Sequence, residues 1–259
     1  MPDQGRSGAL GATLNGPLLR LQHLTKQFTT QRAVDDLSLS VAPGEVYGLI
    51  GPNGSGKTTT VKLIAGLYRP TAGRVEVAGI DLHQEPERAK RLLGYVPDEP
   101  FAYERMSGRE FLHLIGELWA VPAAERARKI DELADLFRIG STLDAYVESY
   151  SRGSRQKLSL IAALLHAPRL LVIDEPIVGL DPESAARTRE LLADYAARGG
   201  AVLVCTHTLA FAEAVCHRLG LLRDGRLAAE GDLPTLRALA GAAAGDSLED
   251  LYLHFAARS

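Results

Sequence analysis

The sequence has no run approaching the roughly eighteen consecutive apolar residues that a membrane-spanning helix requires, so no segment is expected to cross a bilayer as a helix. Its first residues lack both an apolar signal core and a cleavage pattern, which predicts a chain that stays in the cytosol. Cysteine is scarce. Cys205 and Cys216 stand in apolar stretches without metal-ligand spacing, which argues against a disulfide framework or a zinc site and predicts buried, reduced thiols. Net charge is nearly absent too: the balance is −3, with Lys and Arg dispersed, leaving no electrostatic footprint for nucleic acid or an anionic membrane. No internal repeat is visible. What remains, 46% hydrophobic and 24% charged residues over 259 positions, is the balance of a soluble globular protein with a sizeable core. The length allows one elaborated domain or two small ones.

The stretch around which the chain is organised is Gly51-Pro52-Asn53-Gly54-Ser55-Gly56-Lys57-Thr58-Thr59, which fits the G-x-x-x-x-G-K-[ST] phosphate loop. Glycine at 51, 54 and 56 lets successive backbone N–H groups form an anion-binding nest, and the helix starting near Gly56 adds its N-terminal dipole. Lys57 would reach the β- and γ-phosphates of a nucleoside triphosphate, and Thr58 would coordinate magnesium. The context is the required one. The apolar run Glu45 to Ile50 suits a buried strand, and Val61, Leu63, Ile64 and Leu67 follow as a helix.

Residues 1–17 are rich in Gly, Ser, Pro and polar residues without periodicity, and predict a disordered tail. Alternation at Leu19/Leu21 and at Leu37/Leu39/Val41, ended by Pro43-Gly44, predicts antiparallel strands ahead of the loop. Arg74 to Gly79 adds another strand, Gln84 to Leu93 a short helix, and Gly94 to Pro97 a return to the sheet. For about sixty residues after Pro100 the period is helical. Ser107 and Glu110 form a capping box, followed by Phe111, Leu114, Ile115, Leu118 and Trp119 on one face. Ile130, Leu133, Ala134 and Phe137 mark a second amphipathic helix. Strand and helix then alternate: Leu170 to Ile173, a helix over Glu183 to Ala197, Ala201 to Cys205, a helix over Leu209 to Leu219, and a hairpin at Asp224-Gly225. That order implies parallel strands with crossover helices. A last helix starts at Ser247, with Leu248, Leu251, Tyr252 and Phe255 on the side expected to dock on the core.

A second chemical segment is Leu170-Leu171-Val172-Ile173-Asp174-Glu175-Pro176, an apolar strand ending in two carboxylates. Leaving both at the tip of a buried strand is costly unless a cation or a water uses them. Asp174 fits the aspartate that holds magnesium through water, and Glu175 fits the base that orients or deprotonates an attacking water.

A third segment, Tyr150-Ser151-Arg152-Gly153-Ser154-Arg155-Gln156-Lys157, opens a helix, and its Ser151 lies 23 positions before Asp174. Ser151 with the free N–H groups of that helix start makes a second anion site, which a single phosphate loop cannot use alone. Here the sequence resembles the ATP-binding-cassette (ABC) ATPases, whose signature reads L-S-G-G-Q before x-Q-R/K. Ser151, Gly153, Gln156 and Lys157 match it, whereas Tyr150, Arg152 and Ser154 do not. By resemblance, Ser151 and Gly153 would close over the γ-phosphate held by a partner subunit, and Asp181, in Gly179-Leu180-Asp181, would lie along the dimer seam. His207, ending the strand Ala201 to Thr206, would contact the γ-phosphate, and Phe28 would stack on adenine. Asp98 stands where most relatives carry a glutamine that senses magnesium; a carboxylate there can still meet the metal but adds charge beside the γ-phosphate.

The resemblance runs from Leu18 to about Leu233 and implies an α/β fold. Its parts would be a RecA-like phosphate-loop core with a parallel sheet, an N-terminal antiparallel part and an inserted all-helical subdomain. The expected division is core at 18–98 and 161–235, a signature-bearing helical subdomain at 99–160, and a C-terminal helical extension at 236–259. The implied activity is ATP hydrolysis with ATP and Mg2+. The implied setting is a homodimer or heterodimer of cassettes driving a transmembrane transporter subunit, peripheral on the inner face of the cell membrane. The alternative is a soluble cassette acting on ribosomes or DNA. Such relatives generally carry two cassettes or a long coiled-coil insert, and this sequence has neither. The Tyr-Ser-x-Gly signature and the ending Ser247-Leu248-Glu249-Asp250-Leu251-Tyr252 look like exporter cassettes.

Overall fold

The structure is a computed structural model that describes residues 16–243 and 245–257; most of the expected N-terminal tail, 1–15, lies outside the described residues. Two sheets share the core. In the first, β1 (Leu19–Gln27) pairs antiparallel with β2 (Arg32–Val41), as the alternating leucines require. The second begins with β3 (Val46–Ile50), every residue of which is buried. The helix α1 (Lys57–Ile64) follows the phosphate loop. It stops short of Leu67, which is exposed, because Gly66 turns the chain out at φ +67.

The first sheet is completed by β4 (Ala72–Val77) and β5 (Ile80–Asp81), in the order β2-β1-β4-β5. The helix expected over 84–93 is shorter: α2 (Pro86–Lys90) starts on a proline, and Leu93 already belongs to β6 (Leu93–Val96), paired with the strand after it. A helical layer follows, made of α3 (Gly108–Leu118), α4 (Ala123–Phe137) and α5 (Arg152–Leu164). The capping box at α3 forms as expected, with Glu110 N donating to Ser107 Oγ and Ser107 N donating to Glu110 Oε2 at 2.8 Å. Its buried face, however, is Phe111, Leu112 and Gly116, while Leu118 is exposed. A period fixes the spacing of a stripe but not which neighbour it meets, and α4 and α5 meet α3 on this side.

Next come β7 (Leu170–Asp174), α6 (Pro182–Ala197), β8 (Ala201–Thr206), α7 (Leu209–Val215), β9 (Arg218–Arg223) and β10 (Arg226–Gly231). The helix expected to reach Leu219 ends at Val215, because residues from Arg218 onward pair in parallel with β3. Asp224 and Gly225, at φ +48 and +77, make the expected hairpin. The helix α8 (Leu233–Ala240), which starts ahead of the helical extension expected from 236 and is not singled out within it, and the expected α9 (Leu248–Ala257) close the chain, and Leu236, Leu248 and Leu251 pack against Ile50 and Leu221.

The larger sheet has the order β10-β9-β3-β8-β7-β6, parallel except for β10. Alternate residues of its central strands enter different cores. Tyr47, Leu49, Leu170, Val172, Leu203 and Cys205 face the first sheet and α1, whereas Leu171, Ile173, Val202 and Val204 face the helical layer. Burial on both faces is why these strands read as continuous apolar runs. Cys205 is buried and Cys216 partly so; both are free, with burial pushing the Cys216 thiol up to about 12.

Candidate active site

The parallel register sets the carboxyl ends of three strands side by side: Ile50 of β3 beside Thr206 of β8, and Asp174 of β7 beside Cys205. The crevice outside the carboxyl ends of such strands is where an open α/β sheet receives ligands. Residues 51–56 leave β3 as a loop and enter α1 through Gly56, at φ +108, which caps the helix without any side-chain bond. Only glycine fits there, since a Cβ would stand 2.3 Å from the carbonyl oxygen of Ala33. Lys57, 7% exposed, folds its ammonium onto the loop and donates to the carbonyl oxygens of Gly51 at 2.7 Å and Pro52 at 3.1 Å. The hydroxyl of Ser55 is buried with no partner in the protein. Free helix N–H groups, a confined ammonium and an orphaned hydroxyl together suit a polyphosphate anion.

Asp174 is 2% exposed. Burial pushes its carboxyl up to about 6; the negative charges of Asp98 and Glu175 act in the same direction, opposed by a hydrogen bond from Thr58. A carboxylate so poorly compensated fits a hard divalent cation. Among the described residues no cluster of three His, Cys, Asp or Glu could hold a metal alone. The donors at hand, Thr58, Asp174 and Asp98, instead match magnesium, which keeps waters and takes substrate phosphates as further ligands.

Glu175 sits in the left-handed region at φ +54, uncommon for a residue with a side chain and a local cost of about 1 kcal/mol. That turn at the end of β7 brings its carboxylate under His207. Thr206 Oγ1 donates to Oε2 at 2.9 Å; His207 donates its backbone N–H to Oε1 at 3.0 Å and places Nδ1 2.7 Å from the same oxygen. Gln156 of α5 donates to the Glu175 carbonyl at 3.4 Å, tying the signature helix to this turn.

A cavity of about 520 Å³ unites most of the expected residues. Asn53, Gly54, Gly56, Lys57, Thr58 and Thr59 line it together with Phe28, Asp98, Glu175 and His207. Phe28, 39% exposed, meets Tyr68 edge-on with ring centroids 5.7 Å apart, which leaves ring surface at the rim. Gly51, Pro52, Ser55 and Asp174 stand behind that lining, in the loop and at the strand end, and three further expected residues, of the signature and the segment after Glu175, do not line the cavity either. Ser151, exposed, caps α5 by accepting from Ser154 N at 3.1 Å; Gly153 packs on Gly179; Asp181 caps α6 by accepting from Ser184 N at 2.8 Å. Those bonds from Ser184 hold the Asp181 carboxyl down to about 2. Gln31, Ala33, Val178 and Arg152 line the cavity without having been anticipated. Gln31 and Val178 carry no signal in sequence. Arg152 carried one: a cation at the first position of a helix opposes the helix dipole.

The sequence model of the family described as "ABC transporter" matches residues 34–178. The Nod factor export ATP-binding protein I of Paraburkholderia xenovorans (strain LB400) is 36% identical over 213 residues, covering 82% of this chain and 70% of that protein. The lipopolysaccharide export system ATP-binding protein LptB of Acidithiobacillus ferridurans is 35% identical over 216 residues, covering 83% of this chain and 90% of that one. Among solved structures, that of an ATP binding subunit of an ABC transporter superposes with a TM-score of 0.87 at 35% identity, over 92% of this chain and 99% of that chain.

Proposed function

Because the chain belongs to the ABC transporter family, as an ATP-binding subunit and an ATPase, we propose that it works as a head-to-tail dimer whose closure on ATP drives a separate transmembrane partner in export. One observation carries the dimer. The cavity holding Lys57, Glu175 and His207 lacks Ser151 and Gly153, which lie exposed or outside it at the start of α5. Those groups meet a nucleotide only if a second cassette brings its own cavity to them, with Asp181 along the seam.

Within that site, residues 51 to 59 cradle the triphosphate, Lys57 takes the β/γ oxygens and Phe28 stacks on adenine. Thr58, Asp174 and Asp98 hold magnesium, which when bound neutralises charge developing on those oxygens. Glu175 accepts the proton of the attacking water, and His207, bonded to the same carboxylate, orients it and faces the γ-phosphate. Residues 99–160 form the subdomain that carries the signature toward the partner. Export is supported by the two export-named relatives and by the resemblance of the Tyr150-Ser151 signature and of the ending at 247–252 to exporter cassettes. No helix among the described residues is long and apolar enough to cross a membrane, which fits a subunit peripheral on the cytoplasmic face and held there by its partner.

The test is subunit mixing. Lys57→Ala and Ser151→Arg each abolish turnover in a pure dimer; mixed, head-to-tail geometry gathers both defects in one composite site and leaves the other whole. Hydrolysis recovering toward half of wild type in a one-to-one mixed dimer supports the shared site. Absence of recovery, with mixed dimers demonstrated by differential tags, refutes it.

A further inference from the structure

Arg152 enters the nucleotide cavity of its own chain, although it directly follows Ser151, the residue assigned above to the partner's nucleotide. Its Nη2 lies 3.5 Å from Asp98 Oδ1, in a cavity that Lys57, Glu175 and His207 also line. The backbone guides its stem there. Gly179, at φ +80, lies against it, and a Cβ on that glycine would stand 3.0 Å from Arg152 Cγ and 3.2 Å from Cδ. Gly153 packs as closely, since its own added Cβ would meet Gly179 O at 2.4 Å. The turn after Glu175 and the first turn of α5 therefore interlock, with the stem of Arg152 set against Gly179 and its guanidinium reaching Asp98.

Electrostatics alone would not put a cation there. Arg152 is the first residue of α5, where the helix dipole is positive, and no acidic residue stands in that first turn. The compensating charge comes from Asp98, 54 positions away in sequence. With side chains 59% and 44% exposed at 3.5 Å, this pair is weak and readily exchanged. Both partners are departures from the family pattern, so they are explained together.

We infer that Arg152 is a phosphate-binding arginine acting in its own chain's site, held over the cavity by Asp98 until a nucleoside triphosphate enters and then taking the γ-phosphate with its planar fork. The inference rests on the reading of this cavity as an ATP site. Guanidinium stays charged at any working pH and matches phosphate oxygens bidentately, which an ammonium does not. The exchange keeps every charge partnered: Arg152 passes from carboxylate to phosphate, and Asp98 is left to the cation accompanying the nucleotide. A diphosphate lacks the γ-phosphate that Arg152 takes, so the residue discriminates ATP from ADP.

Titration calorimetry with ADP and with a non-hydrolysable ATP analogue, at two protein concentrations, tests this in the full chain. Arg152→Gln should weaken the analogue roughly tenfold, as expected for one charge-assisted bond, and leave ADP unchanged at both concentrations. Arg152→Lys should fall between. Gly179→Ala, which displaces the stem without touching the charge, should give the same selective loss. Unchanged analogue affinity overturns the inference; so does equal loss for both nucleotides, which marks a distorted cavity, and so does a loss that vanishes on dilution, which moves Arg152 to the partner's site. Failure of the wild-type chain to bind either nucleotide would instead refute the ATP-site reading itself.

Discussion

Asp174→Asn should stabilise the protein when nucleotide and metal are absent, although it should abolish magnesium-dependent turnover. Asp174 is 2% exposed and its carboxyl is pushed from 3.8 to about 6, chiefly by burial, with Asp98 and Glu175 adding to the effect and Thr58 opposing it. Because the folded value is the higher one, the native state binds more protons than the unfolded chain between these two values. The contribution to stability is thus full below 3.8 and lost as pH rises through about 6. At pH 8 the ionised form costs roughly 3 kcal/mol, at about 1.4 kcal/mol per tenfold in proton affinity. Asparagine keeps the shape and can still accept from Thr58, but its amide N–H groups need partners, which returns about 1 kcal/mol. The net expectation is about 2 kcal/mol. For 259 residues the unfolding entropy is about 0.5 kcal/mol/K, so Tm should rise by about 4 °C. The assay is calorimetric unfolding in chelator at pH 8, 6 and 4, comparing variant with wild type so that all other titrations cancel. The difference should shrink to nothing or reverse by pH 4. A variant less stable at pH 8, or a difference independent of pH, would refute the argument that Asp174 is an uncompensated buried charge.

Lys57→Ala should cost at least tenfold in ATP affinity, because it deletes the confined ammonium that now rests on the Gly51 and Pro52 carbonyls; wild-type affinity by calorimetry would sink the phosphate-loop assignment. Glu175→Gln should retain ATP while turnover falls by a factor of about a hundred or more, since the amide keeps the bond from Thr206 but not the base. Light scattering of that variant at saturating ATP and magnesium should show a dimer, and a persistent monomer would count against the composite site. Asp98→Gln should weaken the magnesium dependence of ATP affinity more than affinity at saturating metal, as a contact with a doubly charged cation about 2 Å away outweighs repulsion from more distant phosphate oxygens. Identical magnesium dependence in the two proteins would show that Asp98 does not meet the metal.

Several features of this molecule were decided within a few residues of chain, and the sequence alone carried them. The phosphate loop is one, because its glycines and Lys57 act through local backbone shape. The Ser107/Glu110 box is another, since both hydrogen bonds close within one helical turn. So were the buried strands at 46–50 and 170–174, whose burial on both faces leaves unbroken apolar runs. Tertiary structure decided the rest, because it depends on partners far away in sequence. The end of α7 at Val215 follows from the pairing of residues from Arg218 with β3, a bond that local periodicity does not report. The exposure of Leu118 follows from which side α4 and α5 occupy, not from its spacing. The meeting of Glu175 with His207 needs β7 and β8 to be neighbours in flush parallel register, and the meeting of Arg152 with Asp98 needs α5 to dock beside the end of β6. Local hydrogen bonding and side-chain periodicity act over a turn or a strand, so they fix what each segment offers; only docking of the segments fixes which charge faces which.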